Sequence, residues 1–214
     1  MEELDPVPRQ HVLRAMDSLS DEFEGTHSRD TIERVMNDSV AQLAGSAEVD
    51  DFVATLAHRF TRERLKALAR TQQARSEQTE VLFVGLGDSG RGQIASALTT
   101  VRSDGRLVAH SAGSTAAADV DPSVVAVMHE LGVDLAEAYA KPLSTEALAG
   151  ADVVVTMGRS VGAVDVPDGI LHLDWRVGDP TGAPLDEVRR VRDDIDRRVR
   201  ELVETLSGAD EASE

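Results

Sequence analysis

The sequence contains no cysteine. A thiol nucleophile, a disulfide and a thiolate metal site are all excluded, and the redox compartment leaves no trace in the chain. Aromatic residues make up only 3% although 41% is hydrophobic, so the core must be filled by Val, Leu, Ile and Ala, as where helices pack on a buried parallel sheet. Lysine is confined to Lys66 and Lys141, an arginine bias that genome composition explains as readily as selection for bidentate anion contacts. Positive charge is in deficit throughout: the formal net charge of −17 repels nucleic acid and anionic membranes, and a bound anion therefore requires a local site. No apolar run is long enough to span a bilayer, and residues 1–8 are acidic without the apolar stretch of a signal peptide. Cytoplasmic residence is expected, with neither a membrane nor a nucleic-acid partner.

What is present divides into two parts. At 214 residues the chain suits one ordinary domain with a smaller appendage. Over residues 1–70 the apolar spacing predicts a three-helix bundle. One stripe is Val12, Leu13, Met16, Leu19 and Phe23; the next is Ile32, Val35, Met36, Val40 and Leu43; the third is Phe52, Val53, Leu56, Phe60 and Leu68. Ser28 is a candidate N-cap, and Gly25 and Gly45 stand where helices would stop. Residues 71–79 lose the apolar positions and read as a linker. From residue 80 to 214 short β-branched runs alternate with helical patterns. Strands are expected at residues 81–84, 107–111 and 152–156, with a weaker one at 170–173. Helices are expected around Ile94 and Leu98, over 121–131 behind Asp121 and Pro122, and along Val188, Val191, Ile195, Val199, Leu202 and Leu206. The fold class is α/β: a small parallel sheet wound with helices on both faces, preceded by a three-helix bundle.

Between the first strand and its helix lies Gly85-Leu86-Gly87-Asp88-Ser89-Gly90-Arg91-Gly92. A glycine-rich turn into a helix N-terminus brings unpaired N–H groups and the positive helix end together, which makes an anion site. Glycines permit positive φ angles, and Arg91 offers a bidentate contact to an oxyanion. The plainer alternative is a tight turn with a solvated arginine. Gly85, Gly87 and Gly90 also satisfy G-x-G-x-x-G, but the second strand ends in His110, Ser111 and small residues rather than the acidic residue that holds a ribose. The histidines, His11, His27, His58, His110, His129 and His172, show neither H-x-H nor H-E-x-x-H spacing, so no metal site is expected, and no cofactor. His110 and His172 fall near the ligand edge of the sheet, and Trp175 is expected to pack in the core.

The segment VLFVGLGDSGRGQIASAL resembles the first strand, phosphate loop and helix of low-molecular-weight protein tyrosine phosphatases and the related arsenate reductases. SAGS at 111–114, DPSVVAVMHELGVDL, ADVVVTMG at 151–158, LDW at 173–175, DPTG at 179–182 and EVRRVRDDIDRRVREL follow in the order that family shows. The resemblance covers residues 80–207, and the helices before it resemble the three-helix extension of some actinobacterial arsenate reductases. It implies a motif Cys-x-x-x-x-x-Arg-Ser in which Gly85 replaces the cysteine, Arg91 is kept and Gly92 replaces the serine. Asp88 stands where the loop usually has asparagine, and inside a phosphate cradle it would repel the ligand unless protonated, turned outward or bridged by a cation. Asp179 matches the general acid, although without a nucleophile a turn-forming Asp-Pro is the better role. After residue 158, Arg159 and Gly162 occur in the region where such reductases carry relay cysteines.

The resemblance thus implies a degenerate, non-catalytic homologue. Gly87, Asp88, Ser89, Gly90, Arg91 and Gly92 would hold a phosphate- or arsenate-like oxyanion, or the chain would bind a protein partner. A homodimer or hetero-oligomer through the N-terminal helices is expected. Two alternatives stay open: a nucleotide-binding enzyme using the Gly85-Gly87-Gly90 loop, and replacement of cysteines native to these positions, in which case the family activity returns.

Overall fold

The computed structural model of the chain describes residues 6–44, 50–72, 78–115, 117, 119–158 and 164–211. The elements are α1 (Pro6–Glu22), α2 (Arg29–Ala44), α3 (Asp50–Gln72), β1 (Glu80–Gly85), α4 (Arg91–Arg102), β2 (Val108–Gly113), α5 (Pro122–His129), α6 (Thr145–Gly150), β3 (Val153–Met157), β4 (Leu171–Trp175) and α7 (Leu185–Glu211). They form two compact units, Met1–Arg75 with Ser144–Gly150, and Ser76–Leu143 with Ala151–Glu214. No helix among the described residues is long and apolar enough to cross a membrane.

In the helical unit the apolar stripes point inward: Val12, Met16 and Leu19 of α1, Ile32, Val35, Met36 and Leu43 of α2, and Val53 and Phe60 of α3 are all buried. Leu13 departs from the expected stripe and is 42% exposed, because one residue turns the helix by about 100° and carries it off the inward face. The Ser28 hydroxyl accepts the Thr31 N–H at 3.2 Å, which caps α2 as expected, and Gly25 turns the chain at φ +77°. Gly45, residues 73–77 of the linker and the side chain of Phe52 lie outside what is described.

A helix at 145–150 was not legible in the apolar pattern, and its segment groups with the helices rather than with the sheet domain drawn from sequence. Arg64 of α3 explains why. It is 5% exposed, and it donates to Glu146 of α6 through Nε at 3.1 Å and Nη2 at 3.0 Å, and to Ser39 at 3.1 Å. Asp38 lies 2.7 Å from its other nitrogen. A buried guanidinium is tolerated only when its forked donors are met in this way. Burial would raise the Glu146 carboxyl, but the bonds from Arg64 outweigh it and hold the carboxyl below the ordinary range. Because the folded value is depressed, this stabilisation is present at neutral pH and lost as pH falls through that value. Arg70 adds a bond to the Gly150 carbonyl at 3.0 Å.

The second unit is a parallel sheet in the order β2-β1-β3-β4. Val81, Phe83, Val153, Val155, Met157 and Trp175 share one core with Ile94 and Leu98 of α4, Val124, Val127 and Met128 of α5, and Val188, Ile195 and Val199 of α7. The alternate residues Leu82, Val84 and Val154 are also buried, which is why β1 and β3 read as continuous apolar runs. Trp175 packs against Phe83 with ring centroids 5.6 Å apart. Asp121 caps α5 through the Ser123 N–H at 2.8 Å. Because β2 and β3 lie on opposite sides of β1, the connections diverge at its carboxyl end, and an open crevice is left there.

The two leucines of α1 test this packing. Leu19→Ala, at a site with no exposure, is expected to cost about 2–5 kcal/mol in urea unfolding. Leu13→Ala should stay within about 0.5 kcal/mol.

Candidate functional site

The crevice after β1 holds a cavity of about 410 Å³ lined by residues 85–92, Thr115, Ala117, Asp179 and Thr181. The structure therefore brings together Gly85, Gly87, Asp88, Ser89, Gly90, Arg91, Gly92 and Asp179. Its loop is fixed from outside by its own carbonyls. Those of Gly85, Leu86 and Gly87 accept N–H groups of Ser114, Thr115 and Ala117 at 2.7–3.0 Å, and that of Ser89 accepts from Asp121 at 2.9 Å. In a trans peptide the C=O and the following N–H point in opposite directions. The N–H groups of Leu86, Gly87 and Asp88 are thereby turned away from residues 114–117.

The glycines serve close approach, not positive φ as the sequence suggests. None of Gly85, Gly87, Gly90 and Gly92 has a positive φ; the left-handed residue of the loop is Asp88, at φ 55°, a conformation aspartate tolerates better than most residues. A Cβ at Gly90 would meet Pro180 at 2.8 Å, and one at Gly92 would meet Asp88 Oδ1 at 3.1 Å and Ser111 at 3.2 Å. At Gly113, at the end of β2, it would meet the loop backbone of Gly87 and Asp88 at 2.8–2.9 Å. Gly85 is different: a Cβ there meets nothing within 4 Å.

Asp88 is bridged by a cation, one of the arrangements the sequence left open. Its side chain is fully buried, 4.0 Å from the Lys141 ammonium, and Oδ2 accepts the Lys141 N–H at 3.2 Å. The Lys141 ammonium in turn stands 4.6 Å from the centre of the Tyr139 ring. Gln93 ties the loop further, donating to the carbonyls of Asp88 and Tyr139, each at 3.0 Å. Lys141 and Gln93 escaped the sequence analysis because their partners lie 53 and 46 residues away along the chain, and no short-range pattern links them.

Arg91 is 7% exposed, and its Nη2 lies 3.3 Å from Asp179 Oδ2. Its guanidinium lies directly against Gly158, where any Cβ would overlap it and where φ is +91°. The terminal glycine of ADVVVTMG thus makes room for the site's cation. Asp179 does two things: Oδ1 accepts the Thr181 N–H at 3.1 Å, forming the turn, while the other oxygen faces Arg91. That turn is tethered by Asp121, which accepts the Gly182 N–H at 3.2 Å; the Ser123 hydroxyl above all, with these backbone donors, holds the Asp121 carboxyl below its ordinary range.

The histidines flagged near the sheet edge lie elsewhere. His110 is 3.6 Å from Glu80 at the start of β1, and His172 bonds Thr156 at 3.0 Å. Arg159 and Gly162 lie outside the described residues.

Comparison with known proteins adds a second line of observation. Residues 80–164 match the profile described as low molecular weight phosphotyrosine protein phosphatase, and residues 12–69 match that of the N-terminal domain of protein-tyrosine-phosphatase-like proteins. A Halobacterium salinarum protein whose name proposes an arsenate reductase is 35% identical over 137 residues, covering 62% of this chain and 96% of its own. Among solved structures, the Corynebacterium glutamicum thioredoxin-dependent arsenate reductase superposes with a TM-score of 0.83 at 32% identity, covering 92% of this chain and 97% of that one. An arsenate reductase in its phosphate binding state gives 0.54 at 27% identity, over 60% of this chain and 98% of that one.

The close approach at Gly113 sets a test of the loop. Gly113→Val must displace the backbone of residues 87–88, and the expected result is a loss of about 1–3 kcal/mol in stability. Amide exchange across residues 86–92 should rise with it.

Proposed function

Because the chain belongs to the low-molecular-weight phosphotyrosine protein phosphatase family, we propose that it holds a tetrahedral oxyanion of the phosphate or arsenate type after β1 and performs no thiol chemistry on it. The observation that carries this proposal is the contrast at one loop. The cradle and its arginine are in place around the cavity, while Gly85, which in this reading stands at the nucleophile's position, leaves open space in a chain without cysteine. The similarity to an arsenate reductase in a phosphate binding state supports the choice of ligand.

The oxyanion would lie over the N-terminus of α4, with the backbone N–H groups of the loop as donors and the guanidinium of Arg91 as a planar fork. Asp88 pairs with Lys141, and Arg91 is the cation among the described residues of the cavity lining. Asp179 competes with the ligand for Arg91 and lowers affinity by like charge. Without a nucleophile, the phosphorus or arsenic centre is not attacked, so Asp179 has no leaving group to protonate.

Calorimetric titration with phosphate and arsenate tests this directly. Arg91→Ala is expected to weaken binding about 10- to 100-fold, the range for losing a charge-assisted bond, whereas Asp179→Asn should tighten it by about three- to tenfold. Arsenate reduction or phosphatase turnover by the unmodified chain, abolished in Arg91→Ala, would sink the proposal. Gly85→Cys supplies a thiol at a position with room for it. With an aryl phosphate, its sulfur should attack phosphorus as the P–O bond to the aryl group breaks, and a burst of phenol stoichiometric with protein should follow. Failure of that burst despite an alkylatable thiol would show that more than the nucleophile is missing.

A further inference from the structure

The C-terminal end of α4 packs against α7, and between them lies a second cavity of about 320 Å³, lined by Arg102, Arg106, Arg200, Val203, Glu204 and Ser207. It shares no lining residue with the crevice after β1. The 12 residues of α4, rising about 1.5 Å each, put roughly 18 Å of helix between the two. Three of the six lining residues are arginine, in a chain whose acidic residues outnumber its basic ones by 39 to 22.

Local structure gathers these arginines. Arg200, Val203, Glu204 and Ser207 follow the i, i+3, i+4, i+7 spacing that sets them on one face of α7. Arg102 ends α4, and a turn with left-handed Asp104 (φ 53°) and Gly105 (φ 73°) brings Arg106 back to the helix end. There its Nε donates to the Ser103 carbonyl at 3.0 Å, the ordinary use of an arginine at a helix C-terminus. Asp196 orients the other two. It accepts Arg102 Nε and Nη2 at 2.7 and 3.0 Å, and Arg200 Nε and Nη2 at 3.2 and 2.9 Å.

These bonds leave donors over. Among the described residues, Nη1 of Arg102, Nη1 of Arg200 and both terminal nitrogens of Arg106 make no hydrogen bond. The Ser207 Oγ is buried and has no partner either. A guanidinium can only donate, so the cavity presents a set of donors that lacks an acceptor.

We propose that this cavity binds a small phosphate monoester, its phosphoryl oxygens held by Arg102, Arg106 and Arg200 with the Ser207 hydroxyl as a further donor. Planar guanidinium forks match phosphoryl oxygens in geometry. A monoester carries about −1.5 to −2 charges at neutral pH, and here it meets three guanidinium groups against the carboxylates of Asp196 and Glu204. The volume falls at the lower end of the roughly 300–1,000 Å³ of small-molecule sites, and Val203 gives the ester's body an apolar wall. The acidity of the rest of the chain selects a small anion over a nucleic acid. Glu204 opposes the ligand by like charge and keeps affinity modest.

Amide shifts of the nitrogen-15-labelled full chain, titrated with glucose 6-phosphate and separately with inorganic phosphate at constant ionic strength, test the proposal. Saturable shifts are expected at residues 103–107 and 200–207, with a dissociation constant of about 1 mM for the ester and at least about threefold weaker binding of phosphate. Shifts at residues 86–92 report the oxyanion reading of the first crevice, so either site can fail without the other. Arg106→Ala should weaken ester binding about tenfold or more. Arg106→Lys should recover only part of that, because it restores charge without the fork, and Glu204→Gln should tighten binding about threefold. Arg176→Ala removes the same charge from a side chain 78% exposed and outside the cavity, and should leave binding unchanged. Thermal unfolding midpoints check folding, and if Arg106→Ala lowers its midpoint, Arg106→Lys carries the test. Absence of saturable shifts at these residues up to about 20 mM ester overturns the proposal. So does a dissociation constant indifferent to Arg106, or one weakened equally by Arg176→Ala, which would reduce the effect to the general field. Equal affinity for inorganic phosphate overturns the assignment to an ester.

Discussion

The site depends on one left-handed residue whose carboxylate is buried. Asp88 turns the loop at φ 55°, and a carboxylate without solvent contact persists only where it is compensated. Lys141 compensates Oδ2, through its N–H and its ammonium. This draws residues 139–143 beneath the loop. Gln93 then reaches both sides, and the same segment covers the end of β2 through Gly113. The cradle is therefore positioned by contacts within the protein.

Most of the architecture was legible in the sequence because it rests on local periodicity. The apolar runs of β1 and β3, the Asp121-Pro122 start of α5 and the single stripe of α7 each carry their information within one element. The site was legible as a loop but not as a mechanism of assembly. Gly90 and Gly92 read as conformational freedom, yet they answer to neighbours elsewhere in the chain, such as Pro180 and Ser111. Asp88 looked like a liability because its sign was visible and its cation was not. Helix α6 is six residues long and is held from far upstream by the buried Arg64 and by Arg70, which no periodic pattern reports.

Electrostatics reconciles an acidic chain with the proposed anion site. A net charge of −17 acts over distances that salt screens, whereas the loop would act through donors in contact with the proposed oxyanion. Arg91 can supply positive charge to the cavity because Gly158 gives its guanidinium a place against backbone and because Arg91 is almost wholly buried. Asp179, half exposed, tempers that charge without cancelling it.

The attachment of Glu146 to Arg64 also bears on the order in which the chain takes shape. The helical unit is discontinuous: its anchor lies 82 residues after the arginine it satisfies. At synthesis rates of about 5–20 residues per second, the bundle waits on the order of 4–16 seconds on the ribosome before its buried guanidinium acquires that carboxylate. During that interval Arg64 has Asp38, Ser39 and the ring of Phe60 as neighbours within the bundle. The N-terminal helices can collapse early, but their native interior is closed by a segment made after the first two strands of the sheet.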